Sequence, residues 1–112
     1  MMKKIYLACP YSHPDPKVRE ARFRKVNEYA AQLLREGHLV FSPISHSHPI
    51  AVQCELPTEH TFWKKWNGSF IEWCNVLYVA ALDGYLESEG VWWEMKTAKR
   101  KGKEVILQFI TD

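Results

Sequence analysis

Four short runs of almost unbroken apolar character, Ile5–Ala8, Leu39–Phe41, Val76–Ala80 and Val105–Phe109, alternate along this chain with longer stretches of helical periodicity. A strand that is apolar on both faces has to be covered on both faces, and helices that connect parallel neighbours provide that cover. Right-handed crossovers then leave few arrangements open. If the second strand returns on one side of the first and the later units wind the other way, a parallel sheet of about four strands has the order 2-1-3-4. The expected architecture is a three-layer α/β domain, Rossmann-like in the flavodoxin-like sense, spanning residues 1–112 as one unit.

The first helix is expected to begin with Asp15 as N-cap and Pro16 in the first helical position, and to end at Gly37. Its apolar face approximates Val18, Ala21, Val26, Tyr29, Ala30, Leu33 and Leu34. Residues 61–74 read as a second helix with Trp63, Trp66, Phe70 and Trp73 along one stripe, weakened at Gly68, and residues 91–101 as a third. Between Ser42 and His60, prolines and histidines recur with no clear period, so the expectation there is a long loop covering the strand ends.

Composition narrows the functional classes. With 46% hydrophobic and 25% charged residues the chain is of the soluble globular type, and a formal charge of +2 offers no footprint for a nucleic-acid polymer. The basic run Lys96–Lys103 complements a helix C-terminus. Cys9, Cys54 and Cys74 are odd in number and lack C-x-x-C spacing, which argues against disulfides and a zinc ribbon and for a cytoplasmic location. His46-Ser47-His48 has H-x-H spacing but no Cys or acid at a matching short interval, so no metal is expected. No stretch is apolar enough to cross a bilayer. The Gly-rich dinucleotide fingerprint and the Walker loop are absent, and no cofactor is expected. Five Trp on so small a sheet suggest a homodimer.

Ligands of such folds bind beyond the C-terminal strand ends. The loops after Ala8, Phe41 and Ala80 emerge there and should gather Cys9, Tyr11, His46, His48, Asp83 and the segment Ser88–Glu94 at one rim. Ser88-Glu89-Gly90-Val91-Trp92-Trp93-Glu94 reads as a helix start suited to an anion. The N–H groups of Gly90 and Val91, the helix dipole and the Ser88 hydroxyl would hold a 5′-phosphate, while Glu94 lies roughly 6 Å further along the axis, facing the sugar. The same field favours an ionised carboxylate, the form a nucleophile needs. Glu89 lies about 140° around the helix from Glu94, which argues against both acids entering one small site. Trp92 and Trp93 flank Glu94 and could reach a base. Asp83 is a candidate acid for the departing base, Arg22 an additional phosphate contact, and His46 and His48 donors to phosphate or base. The plainer reading makes Ser88 an ordinary N-cap, the two acids dipole complements and Asp83 a turn former.

Tyr6-Leu7-Ala8-x-Pro10-Tyr11, Pro43-x-Ser45-His46-x-His48-Pro49 and Ser88-x-Gly90-Val91-x-x-Glu94, with Ala98 and Gly102-Lys103-Glu104-Val105, resemble nucleoside 2-deoxyribosyltransferases and 2′-deoxynucleoside 5′-monophosphate N-glycosidases. The resemblance covers most of the chain and is closest to a functionally unassigned branch found in bacteria and phages. It implies that Glu94 attacks the anomeric carbon, that Tyr6 orients it, and that Ser88 stands where the glycosidases bind the 5′-phosphate and the transferases carry an Asp. No counterpart of the transferases' base-contacting acid is apparent, nor the Gly-rich first loop of the glycosidases. The expected activity is therefore hydrolysis of a (deoxy)nucleoside 5′-monophosphate. Alternatives are a deoxyribosyltransferase, a non-catalytic nucleotide sensor and a structural or interaction protein whose Trp faces hold a partner.

Overall fold

The computed structural model of the chain describes residues 2–110. Strand β1 (Lys4–Ala8) leads into helix α1 (Pro16–Arg35), and β2 (Leu39–Phe41) is followed by α2 (Pro43–Cys54) and α3 (His60–Trp73). Strand β3 (Val76–Ala81), a single 3₁₀ turn (Tyr85–Glu87), α4 (Glu89–Arg100) and β4 (Glu104–Phe109) complete the order. All strand pairs are parallel and the sheet order is β2-β1-β3-β4, the 2-1-3-4 arrangement expected from the sequence.

Strand alternation divides the core in two. Ile5, Leu7, Val76, Tyr78 and Ala80 face α1, where Val26, Ala30 and Leu33 meet them. Tyr6, Ala8, Leu77 and Val79 face the opposite way, onto Ile71 of α3 and Val91 and Ala98 of α4. Both faces of β1 and β3 are therefore dry, as their unbroken apolar sequences require. Asp15 caps α1 by accepting from the Lys17 N–H at 2.9 Å, and Pro16 occupies the first helical turn.

Two expectations fail. Residues 43–54 form a helix rather than part of a loop. Pro43 sits at its start, where no N–H is needed, and Pro49 interrupts only one bond of a short helix. The stripe that packs inward is Ile44, Ser47, His48 and Ala51, at offsets of 3, 4 and 7, and two polar members hide it from a hydrophobic reading. On α3 the buried positions are Asn67 and Ile71, whereas Trp66 of the expected stripe is 44% exposed.

Trp66, Leu86, Trp92 and Phe109 leave large apolar surface in water. We expect it to be covered by a second copy, so that light scattering at micromolar concentration reads twice the 13.2 kDa of one chain. A monomer mass rejects this.

Candidate active site

Helices α3 and α4 start side by side beyond the end of β1. Gly90 permits the approach, since a Cβ there would lie 3.2 Å from Cβ of His60. The helix starts, the loop after β1 and part of α2 enclose a cavity of about 390 Å³. Its walls are Cys9 and Tyr11 from the first loop, Ile44 and Ser47 from α2, His60, Trp63 and Asn67 from α3, and Ser88, Gly90, Trp93 and Glu94 from α4. Glu59, Glu87 and Glu89 stand exposed at the rim, and no Lys or Arg lines the space among the described residues.

Glu94 forms part of the inner wall and is almost wholly buried. The Tyr6 phenol, itself inaccessible, donates a hydrogen bond to Glu94 Oε2. Burial raises the Glu94 carboxyl from 4.5 to about 8, against the lowering effect of the Tyr6 bond. Burial, and then the Glu94 charge, hold the Tyr6 phenol well above its ordinary range. Among the described residues no cation lines the cavity to offset that loss of hydration, so burial is the larger influence on the Glu94 carboxyl.

Ser88 caps α4, its Oγ accepting the Val91 N–H at 3.2 Å. Val91 is buried and its N–H already engaged, so of the two backbone donors assigned from the sequence Gly90 is the one on the cavity wall. Tyr6 and Ala8 lie behind the wall, fully buried. Glu89 shares the cavity with Glu94 after all: the space wraps over the helix start, with Glu89 at the mouth and Glu94 within. The axial angle between them does not exclude this, because they line it at different depths.

Four residues expected at the rim lie elsewhere. Asp83 is exposed, its carbonyl accepts from Arg22 at 3.1 Å, and both line a separate depression against α1. His46 is exposed and stacks on Trp66, ring centroids 5.1 Å apart. His48 is buried behind Tyr11. Trp92 points into solvent at 62% exposure, and its neighbour Trp93 lines the cavity instead.

The sequence reading missed His60, Asn67 and Trp63. Among the described residues Asn67 Oδ1 and His60 Nδ1 find no hydrogen-bond partner although both are buried, a costly state that a polar ligand would relieve. The signal available was spacing: His60, Trp63 and Asn67 fall at offsets of 3 and 7, one face of a helix.

Comparison with curated proteins finds no match. Among solved structures the chain is similar to the 2-deoxyribosyltransferase of the psychrotolerant bacterium Bacillus psychrosaccharolyticus, described as a biocatalyst for nucleoside synthesis. The TM-score is 0.60 at 29% identity, over 96% of this chain and 77% of that one. A family model described as a domain of unknown function, DUF1937, matches residues 3–109, nearly the whole chain, and the protein belongs to that family.

Proposed function

We propose that this chain cleaves the N-glycosidic bond of a (deoxy)nucleoside 5′-monophosphate. The observation that carries the reading is Glu94: a buried carboxyl, held by one phenol, on the inner wall of a cavity that opens at a helix N-terminus. Similarity to a 2-deoxyribosyltransferase supports the same chemistry. An oxygen of Glu94 attacks C1′ as the C1′–N bond breaks, the electron pair leaves on the base nitrogen, and water then hydrolyses the glycosyl ester. Tyr6 keeps the carboxylate in one rotamer. Ser88 accepts from Val91 and still has its own hydrogen to donate, so with the Gly90 N–H it is placed for a phosphate oxygen. Asn67 and His60 supply polar groups that base and sugar would satisfy.

A second reading is favoured by one observation. Glu59, Glu87 and Glu89 surround the mouth, and among the described residues no Lys or Arg lines the wall, a field that suits an uncharged nucleoside better than a dianion. Ser88→Ala separates the two. In the monophosphate reading it weakens binding of 5′-monophosphates by about 1.5–3 kcal/mol more than binding of nucleosides. Equal losses remove the phosphate from this site.

The activity itself is tested by incubating pure protein with a panel of nucleosides and their 5′-monophosphates and following free base by chromatography. Release is expected, with monophosphates preferred. Excess free adenine distinguishes hydrolysis from transfer: if exchanged nucleotide forms faster than free sugar phosphate, the protein is a transferase. Absence of base release across the panel rejects both readings.

A further inference from the structure

With Asp83 outside the cavity, nothing assigned so far takes the proton from the water that must resolve a glycosyl–Glu94 ester. Two sequence motifs meet at a candidate. Tyr11 closes the first, lines the cavity, and its hydroxyl lies 2.5 Å from His48 Nδ1. His48 belongs to the second, on α2, and its Nε2 lies 2.9 Å from Glu20 Oε1 on α1. The His48 side chain is 6% exposed, whereas Glu20 is 44% exposed and also pairs with Arg24 at 3.1 Å. Phe23 covers the imidazole, ring centroids 4.4 Å apart.

The line runs from the cavity wall through a buried imidazole to a carboxylate in contact with solvent. Its polarity follows from the donors available. An ionised Glu20 only accepts, and in the His48 tautomer that donates Nε2–H to it the Nδ1 lone pair accepts from the Tyr11 hydroxyl. The Arg19 guanidinium also bears on the Tyr11 hydroxyl and can take one acceptor position, which leaves Tyr11 Oη one lone pair for a hydrogen of water. Carboxylate, imidazole and hydroxyl in series are the elements of a hydrolase triad, with a phenol passing the proton where a serine would attack.

We propose that Tyr11, His48 and Glu20 form a proton relay that makes Tyr11 Oη the general base for hydrolysis of the glycosyl–Glu94 ester. The proposal rests on the reading of Glu94 given above. As the water oxygen bonds to C1′, the C1′–O bond to Glu94 breaks and its electron pair returns to the Glu94 carboxylate. The water proton passes to Tyr11 Oη and the phenolic proton to His48 Nδ1. Glu20 stabilises the imidazolium, and the proton leaves to bulk water at its exposed end. Tyr11 is the group that touches the reacting water; His48 and Glu20 act through it.

A relay confined to the second step separates the two halves of the reaction. In Tyr11→Phe, the first turnover should release base at close to the wild-type rate, while steady-state turnover falls about 100-fold. Intact-mass measurement should then find the glycosyl adduct on the enzyme, at Glu94. His48→Gln should show the same split, and it carries the test if Tyr11→Phe does not fold. Glu20→Gln should fall about tenfold, the smaller loss expected of a group that only stabilises the imidazolium. Nitrogen NMR of the ligand-free protein should show the Nε2–H form of His48 with Nδ1 accepting, and Tyr11→Phe should shift the Nδ1 resonance. Normal steady-state turnover in Tyr11→Phe, equal loss in both halves, or the Nδ1–H form overturns the relay and leaves the Glu94 mechanism standing. A wild-type protein that releases no base overturns the Glu94 reading and the relay's task with it.

Discussion

Glu94→Gln is expected to fold, bind nucleotide and lose base release by roughly 10⁴-fold or more, the scale seen when a nucleophile is removed from a covalent mechanism. The amide has the same shape and its oxygen still accepts the Tyr6 hydrogen bond, so the cavity wall should not move. What disappears is the carboxylate that attacks C1′ in the proposed mechanism. Glu89→Gln is the internal control. Glu89 stands at the mouth with its side chain 89% exposed, 3.9 Å from His60 Nε2, and its loss should change turnover by no more than about threefold, as for a screened surface charge. Chromatographic base release with thermal shift by nucleotide reads both variants. Retained turnover in Glu94→Gln would refute the mechanism.

Activity and stability are expected to run in opposite directions with pH, for one reason. The Glu94 carboxyl titrates at 4.5 when hydrated and at about 8 in its buried site. Below 4.5 it is protonated in both the unfolded and the folded chain, and it contributes nothing to the pH dependence. Between 4.5 and 8 the unfolded chain has released the proton and the folded one retains it, so rising pH favours unfolding by up to ~1.4 kcal/mol per pH unit. Above 8 that loss is complete. Over the same window the ionised fraction needed for attack grows, from about one in ten at pH 7 to a majority above 8. kcat/KM should rise about tenfold per unit and level off near 8, while wild type loses stability relative to Glu94→Gln across the same range. Tyr6→Phe should shift the activity limb to higher pH, because the Tyr6 bond lowers the Glu94 value. Denaturant unfolding of wild type and Glu94→Gln at several pH values, beside rate profiles, checks this. A stability difference independent of pH would mean that Glu94 is already ionised in the folded chain.

Much of the layer architecture was legible because strands buried on both faces leave an unmistakable composition. Val76–Ala80 has no polar residue, and a short apolar run between helical stretches has few places to go. The N-terminus of α1 was equally plain, since Asp15 and Pro16 act through the backbone of their own turn. Helix α2 was not legible. Its inward stripe contains Ser47 and His48, and His48 is tolerated inside because Tyr11 and Glu20, 37 and 28 residues away in sequence, satisfy both ring nitrogens. A polar residue reads as exposed until its partners are known.

The sequence alone determined the parallel sheet, its order, the position of the α4 start and the depth of Glu94 below it. Each follows from chain-local geometry or from the handedness of crossovers. Tertiary structure decided which side chains share the cavity. It took Asp83, His46 and Trp92 out of the site and brought His60, Trp63 and Asn67 in, because a side chain's direction depends on the packing of its whole element. It also decided the charge of Glu94. The helix start read from sequence favours an anion, but the burial that shifts the carboxyl to about 8 exists only once Glu94 is packed against Tyr6 on the inner wall of the cavity. Solvent exclusion of that kind is a property of the assembled layers, and no segment of the chain carries it by itself.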